Sequence, residues 1–259
     1  MAETIRNAAQ RQWRDTARQH GHAAAARELL RTVWEFLRDS TPERRRQRYG
    51  DAGYDWEHRV NTTSAAVGWR DRLLGLFHSP YQPTEPGLFR EMLDALERGA
   101  GIDFRDYTFI DLGSGKGRTL LMASDYSFRR IIGVELLPAL HHMAQENLSH
   151  YHSEAQQCFS IESICGDARQ VNWPSEPVVL YLFHPLPETG LKVVVANLEK
   201  SFLHNPRPLY VLYHNPILER VLSESAWIRK VSGTHQYSVF SFGPVEANDS
   251  IARNGERHS

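Results

Sequence analysis

The sequence predicts an α/β protein: a mostly parallel sheet covered by helices on both faces, with a helical extension in front of it. Three observations predict this. From residue 106 onward, apolar runs of strand length alternate with helical stretches, and strands that are apolar throughout belong to parallel sheets buried on both sides. The first run leads at once into three glycines spaced two apart, Gly113, Gly115 and Gly117, and then into a helical pattern. The last two runs, WIRKVSG (227–233) and QYSVFSFGP (236–244), are joined through Gly233-Thr234-His235, close enough for a hairpin that adds an antiparallel strand.

Taken in order, residues 4–38 read as an Arg-rich helix, with Ala26, Leu29, Leu30, Val33, Trp34 and Leu37 forming an apolar stripe. Ser40-Thr41-Pro42-Glu43 is a stop and restart, with Thr41 as N-cap and Pro42 in the first helical position. The cluster Arg44, Arg45, Arg46 and Arg48 follows. It reads first as a solvated helix face and second as a patch for phosphate or nucleic acid. Residues 50–86 are rich in Gly, Asp, Asn and Pro and are expected to be irregular. Tyr54, Trp56, Trp69, Phe77 and Tyr81 make disorder a poor description, and an ordered loop or lid fits better. A helix over 86–98 buries Leu88, Phe89, Met92, Leu93 and Leu96.

Strands are then expected at 107–113, 130–136, 159–168, 177–185 and 208–216. The helices GRTLLMASDY, PALHHMAQENLSHY, ETGLKVVVANLEKSFLH and ILERVLSES stand after the first, second, fourth and fifth. The domain division that follows is 1–77 for the extension and its aromatic-rich linker, 78–244 for the α/β domain and 245–259 for a polar tail.

Bulk properties exclude little and fit a soluble globular protein. The chain has 259 residues, 41% of them hydrophobic and 24% charged, with a formal net charge of −1, so overall charge gives no argument for nucleic acid. The first 50 residues nevertheless hold eleven Arg against six acidic residues. Cys158 and Cys165 form no CxxC pair; buried bystanders are expected, and no metal site. No apolar leader and no apolar run of 18 residues is visible, so a cytoplasmic protein without a membrane partner is the expectation.

Chemistry concentrates in FIDLGSGKGRTL, residues 109–120. A strand ends at Asp111, three glycines let the backbone turn and approach a ligand closely, and a helix N-terminus stands behind them. The dinucleotide fingerprint G-x-G-x-x-G needs glycine at 118, where Arg118 stands. Lys116 lies outside any G-x-x-x-x-G-K-[ST] pattern and is no P-loop lysine.

The pattern D-x-G-x-G-x-G resembles motif I of the class I S-adenosylmethionine (SAM) methyltransferases, and the resemblance runs over about residues 78–244. It implies a Rossmann-like seven-stranded sheet of order 3-2-1-4-5-7-6 with the last strand antiparallel. S-adenosyl-L-methionine is the implied cofactor, held at the carboxyl ends of strands 1, 2 and 4. By that resemblance Asp111, Gly113, Ser114, Gly115 and Gly117 form the cofactor loop. Glu135, followed by Leu136, ends the second strand where a carboxylate accepts the ribose hydroxyls. Asp167 and Ala168 end the third strand, where an acid meets the adenine amino group; a turn cap is the other reading of Asp167. SPYQPTEPGLF (79–89) is similar to a segment that Dot1-like and related protein-lysine enzymes fold over the methionine end of the cofactor. Tyr81 and Thr84 are therefore candidate contacts, with Thr84 as an ordinary helix cap the alternative.

The fourth strand ends in Phe183-His184-Pro185-Leu186-Pro187. Amine-directed family members carry Asp/Asn-Pro-Pro-Tyr/Phe there. The acid or amide and the aromatic are absent, which speaks against a base amine as acceptor. Phe183 is a candidate pocket wall, and His184 a candidate base working near neutral pH. The fifth strand ends in LYHNP, placing His214 on the same rim if the two strands are neighbours. Both histidines also have a plain reading as strand ends before proline. The expected function is methyl transfer to a nucleophilic N or O of a small molecule or protein side chain. An RNA or DNA methyltransferase using the basic N-terminus, and a SAM-binding protein without catalysis, are the alternatives.

Overall fold

The computed structural model describes residues 52–62, 83–183 and 186–243, with scattered positions between 14 and 26. Tyr81, His184, the arginine cluster 44–48 and the tail 245–259 lie outside the described residues. So does most of the helical stripe expected within 4–38.

Among the described residues, seven strands form one sheet: β1 (Thr108–Leu112), β2 (Arg130–Glu135), β3 (Ile161–Cys165), β4 (Val178–Phe183), β5 (Leu209–His214), β6 (Ile228–Gly233) and β7 (Tyr237–Phe242). Their order across the sheet is β3-β2-β1-β4-β5-β7-β6. β7 runs antiparallel to β5 and β6, and the other pairings are parallel. This is the order and the antiparallel last strand that the class I methyltransferase fold requires.

Why the central strands read as unbroken apolar runs is visible in β4. Val178, Leu180 and Leu182 enter one core, together with Leu191, Val194, Leu198 and Phe202 of helix α5 (Glu188–His204). Val179 and Tyr181 enter the opposite core. Each face of the strand is buried, so each residue must be apolar or carry a satisfied polar tip. The second core is closed by α2 (Pro86–Ala100), whose Leu88, Phe89, Met92, Leu93 and Leu96 are all buried, as the periodicity predicts. Each such side chain stabilises the fold by about 1.5–3 kcal/mol relative to exposure. α2 stops at Gly101, which takes φ 62° and returns its N–H to the Glu97 carbonyl.

Several elements differ from the sequence reading. A helix, α1 (Ala52–His58), stands in the stretch expected to be irregular. Its glycine and aspartate are poor helix formers, but Tyr54 is buried and the Asp55 carboxylate accepts from the Thr62 backbone N–H at 2.8 Å. Packing and that closing bond override propensity. The helix after β1, α3 (Arg118–Ser124), and the helix after β5, α6 (Glu219–Ser223), are shorter than their apolar patterns suggested. β3 is also shorter, because it is an edge strand with one neighbour; Phe159, expected inside it, is 78% exposed. Cys158 is buried, but Cys165 at the end of this edge is exposed, against the expectation of two buried thiols. Helix α4 (Pro138–His150) joins β2 to β3 and packs against both. Among the described residues, no helix is long and apolar enough to cross a membrane.

Candidate active site

The carboxyl ends of β1 and β2 lie side by side, with Asp111 in register with Gly133 and Leu112 with Val134. From there the chain forms the glycine loop. Gly113, Gly115 and Gly117 have φ of 82°, 55° and 82°, a left-handed conformation that other residues adopt only at a cost. The loop is closed by its own backbone. Gly113 N–H and Ser114 N–H donate to the Val134 carbonyl at 2.8 and 3.2 Å, and Gly117 N–H donates to the Ser114 carbonyl at 2.8 Å.

Glu135 holds the loop from the β2 side. Its Oε2 accepts the Gly115 N–H at 2.8 Å, and its Oε1 accepts the Leu137 N–H at 2.8 Å. The carboxylate is buried, and burial pushes its pKa up against the pull of these backbone bonds. The Leu136 N–H bonds it as well; an ionised carboxylate offers about four acceptor sites, so capacity remains for a hydroxyl donor. Asp111 is buried as well and accepts a hydrogen bond from the Thr119 hydroxyl. Burial pushes it up to about 7, the Thr119 bond opposes this and the Glu135 charge adds to it.

Sequence reasoning did not single out Gly133. A Cβ there would stand 2.6 Å from Leu120 Cδ1 and 2.7 Å from Ser114 Oγ. The loop can sit down on β2 only because this strand position has no side chain. A lone glycine inside an apolar strand run is the signal that would have marked it. Ser114 itself is buried, and its hydroxyl makes no hydrogen bond among the described residues.

Leu136 follows Glu135, half-buried, and Ala168 is buried beyond the end of β3. Asp167 caps the turn Ala168–Gln170 by accepting the Arg169 N–H at 3.0 Å. The Arg169 guanidinium also grips its carboxylate, with Nε at 2.9 and 3.1 Å and Nη2 at 2.5 Å.

The ends of β4 and β5 are built differently. The two strands are neighbours, and Phe183 is in register with His214. Their rings stack, with centroids 3.8 Å apart and planes 17° apart. His214 Nδ1 is 2.8 Å from the Tyr181 hydroxyl, which is 2.9 Å from the Thr84 hydroxyl. All three residues are buried. Thr84 is therefore no helix cap: the residue entering α2 is Glu85, which makes no side-chain cap bond, and the Thr84 hydroxyl spends itself on Tyr181. Burial lowers His214 to about 4, so the imidazole is neutral at physiological pH. Burial raises the Tyr181 phenol well above its ordinary range. The chain Thr84–Tyr181–His214 is thus a neutral hydrogen-bonded row, and Tyr181 joins the site although its place in an apolar run concealed it.

No family model matches the chain, and no curated protein matches it either. Among solved structures it is similar to an RNA methyltransferase from Salinibacter ruber in complex with S-adenosyl-L-homocysteine. The identity is 22%, 65% of this chain and 98% of that one are covered, and the TM-score is 0.42. It is similar also to a putative RNA methyltransferase from Pyrococcus horikoshii (18% identity, 62% and 87% covered, TM-score 0.42). A third is a predicted N6-adenine-specific DNA methylase from Listeria monocytogenes (13% identity, 64% and 53% covered, TM-score 0.45). The fold assignment itself rests on the strand order and register described above.

Proposed function

We propose that the protein is an S-adenosyl-L-methionine-dependent methyltransferase that moves the methyl group to a nucleophilic N or O of a small molecule or protein side chain. One observation carries this reading: a buried glutamate at the end of β2 is bonded to a loop of three left-handed glycines at the end of β1. That pairing keeps some carboxylate acceptor capacity beside a backbone that a bulky ligand can approach.

In this reading Gly113, Ser114, Gly115 and Gly117 shape the bed for the cofactor, Asp111 anchors the loop through Thr119, and Glu135 receives a ribose hydroxyl. Asp167 serves chiefly as a turn cap held by Arg169, which leaves less of its carboxylate for an adenine amino group. When bound, the cofactor supplies an activated methyl group, so the protein's task is to place the acceptor in line, exclude water and receive a proton where one is released. Phe183 forms a wall and His184 is the proposed proton acceptor. His214, neutral and stacked on Phe183, orients the acceptor as a hydrogen-bonding partner. His-Pro-Leu-Pro at 184–187, in place of the amine-holding pattern, favours an acceptor other than a base amine.

The reading is tested by calorimetric titration with S-adenosyl-L-homocysteine. The wild type is expected to bind it, and Asp111→Ala to lose that binding; equal affinity in both refutes the assignment. Transfer of labelled methyl groups from S-adenosyl-L-methionine into separated metabolite, protein and nucleic-acid fractions then distinguishes the acceptor classes.

A further inference from the structure

The geometry points to residues 52–62 as a working part of the cofactor site: an N-terminal strap that sets the shape of the glycine loop, and so its affinity for the cofactor, through Asn147. The inference rests on the cofactor reading given above.

The glycine loop is held from two sides. Glu135 grips it at the Gly115 N–H. On the other side, Asn147 in the last turn of α4 donates from Nδ2 to the Lys116 carbonyl at 2.9 Å. The Lys116 peptide lies between two left-handed glycines, a segment whose conformation is otherwise free to change. Asn147 is buried, and its side-chain amide also pairs with the strap in both directions. Oδ1 accepts the Asn61 N–H at 2.8 Å, and Nδ2 donates to the Asn61 carbonyl at 3.1 Å. One side chain therefore bonds the strap and the loop at once.

Two loop cations reinforce the junction. Lys116 is buried and donates from Nζ to Asn61 Oδ1 at 3.1 Å; burial lowers its ammonium to about 8, and the Asp55 carboxylate opposes that loss of charge. Arg118, the first residue of α3, is buried with its guanidinium 4.4 Å from the centre of the Tyr54 ring. Burying two cations is expensive unless the covering element compensates them, and the strap brings an amide oxygen, a carboxylate and an aromatic face.

Besides this junction the strap packs on the segment after α4: Tyr54 lies in the second core beside Tyr151, and His58 Nδ1 is 3.1 Å from the His152 carbonyl. Its helix has seven residues, too few to persist alone in water. Asp55 folds it back on itself through the Thr62 N–H, and Arg59 sits at φ 56° in the bend. A short element bonded to the loop in this shape is coupled to whatever else stabilises the shape, and the coupling is reciprocal. Asn147, Asn61 and Lys116 are accordingly positioning residues: they act through the loop and not on the transferred group.

The test uses the full chain and S-adenosyl-L-homocysteine as probe. Hydrogen exchange of the peptide spanning 52–62 is expected to slow roughly tenfold when the probe saturates the wild type, in the usual range of coupling between sites. Asn147→Ala is expected to weaken the probe by a similar factor in calorimetry, and Asn61→Ala, which keeps the main-chain bonds to Asn147 and loses the Lys116 contact, by a smaller one. Trp56→Ala, which removes a side chain 87% exposed on the same strap, is expected to leave the affinity unchanged. If the wild type binds the probe, its strap exchange is indifferent to it, and Asn147→Ala binds equally well, the inference is overturned while the cofactor reading stands. If the wild type binds no probe, both fall. Should Asn147→Ala fail to fold, the wild-type exchange experiment decides alone.

Discussion

The two halves of the rim are built from different materials. At the ends of β1 and β2 the site is backbone: left-handed glycines, a carbonyl of β2 that takes two loop N–H groups, and a glutamate whose bonds all run to main-chain donors. At the ends of β4 and β5 it is side chain: a stacked Phe183–His214 pair and a hydroxyl row through Tyr181 to Thr84. The difference teaches where variation is tolerated. Backbone can be shaped in few ways, so a site made of it suits one constant ligand, whereas side chains can be exchanged to suit different acceptors.

The sharpest way to break this comparison is to put a side chain into the backbone half. Gly115→Val places a β-branched residue at φ 55°, a strained conformation costing about 1–3 kcal/mol by itself. It also puts bulk in the proposed cofactor path. Binding of S-adenosyl-L-homocysteine is expected to disappear from calorimetry while the protein stays folded; retained affinity would show that the loop is a turn and nothing more.

Acid titration separates the halves by sign. His214 is lowered from 6.5 to about 4. Between those values the unfolded chain takes up a proton that the folded one refuses, so stability present above pH 6.5 is lost as pH falls toward 4, by about 3 kcal/mol. Asp111 is raised from 3.8 to about 7, and its contribution runs the other way: it is full below pH 3.8 and lost as pH rises through 7. Urea denaturation at several pH values should therefore show His214→Asn losing less stability on acidification than the wild type, and Asp111→Asn losing more. Parallel profiles for the three proteins would place both groups in more solvated surroundings than described.

Gly133→Ala probes the bed beneath the loop. Its Cβ would meet Leu120 and Ser114 well inside contact distance, and overpacking of this kind costs about 1–3 kcal/mol. We expect a lower melting temperature accompanied by weaker binding of S-adenosyl-L-homocysteine, since the displaced group belongs to the loop. A loss of stability with affinity intact would uncouple bed from loop.

The smallest effect belongs to the side-chain half. Tyr181→Phe removes one hydroxyl and leaves the Thr84 and His214 partners unbonded, at about 1 kcal/mol or slightly more. Probe affinity should hold. The chemical shifts of the His214 ring nitrogens should change, because the bond that selects the tautomer is gone; unchanged shifts would remove Tyr181 from that role.

Much of this was legible in the order of residues. Hydrophobic runs with periods of strand and helix located each strand of the sheet and the buried face of α2, because those periods follow from backbone geometry alone. The glycines at 113, 115 and 117 were legible because a left-handed turn constrains residue type locally, and the acid at 135 through the resemblance of the surrounding pattern to a known family. What the sequence by itself determined is therefore the sheet, its closing hairpin and the backbone half of the site. Only the tertiary structure decided the rest. That Thr84 bonds Tyr181, that His214 lies neutral against Phe183, that Gly133 makes room for Ser114 and that Asn147 joins Asn61 to Lys116 all depend on residues from 19 to 97 positions apart. No local pattern encodes such pairs, because each is selected by burial and by hydrogen-bonding partners that exist only once the sheet has brought the elements together.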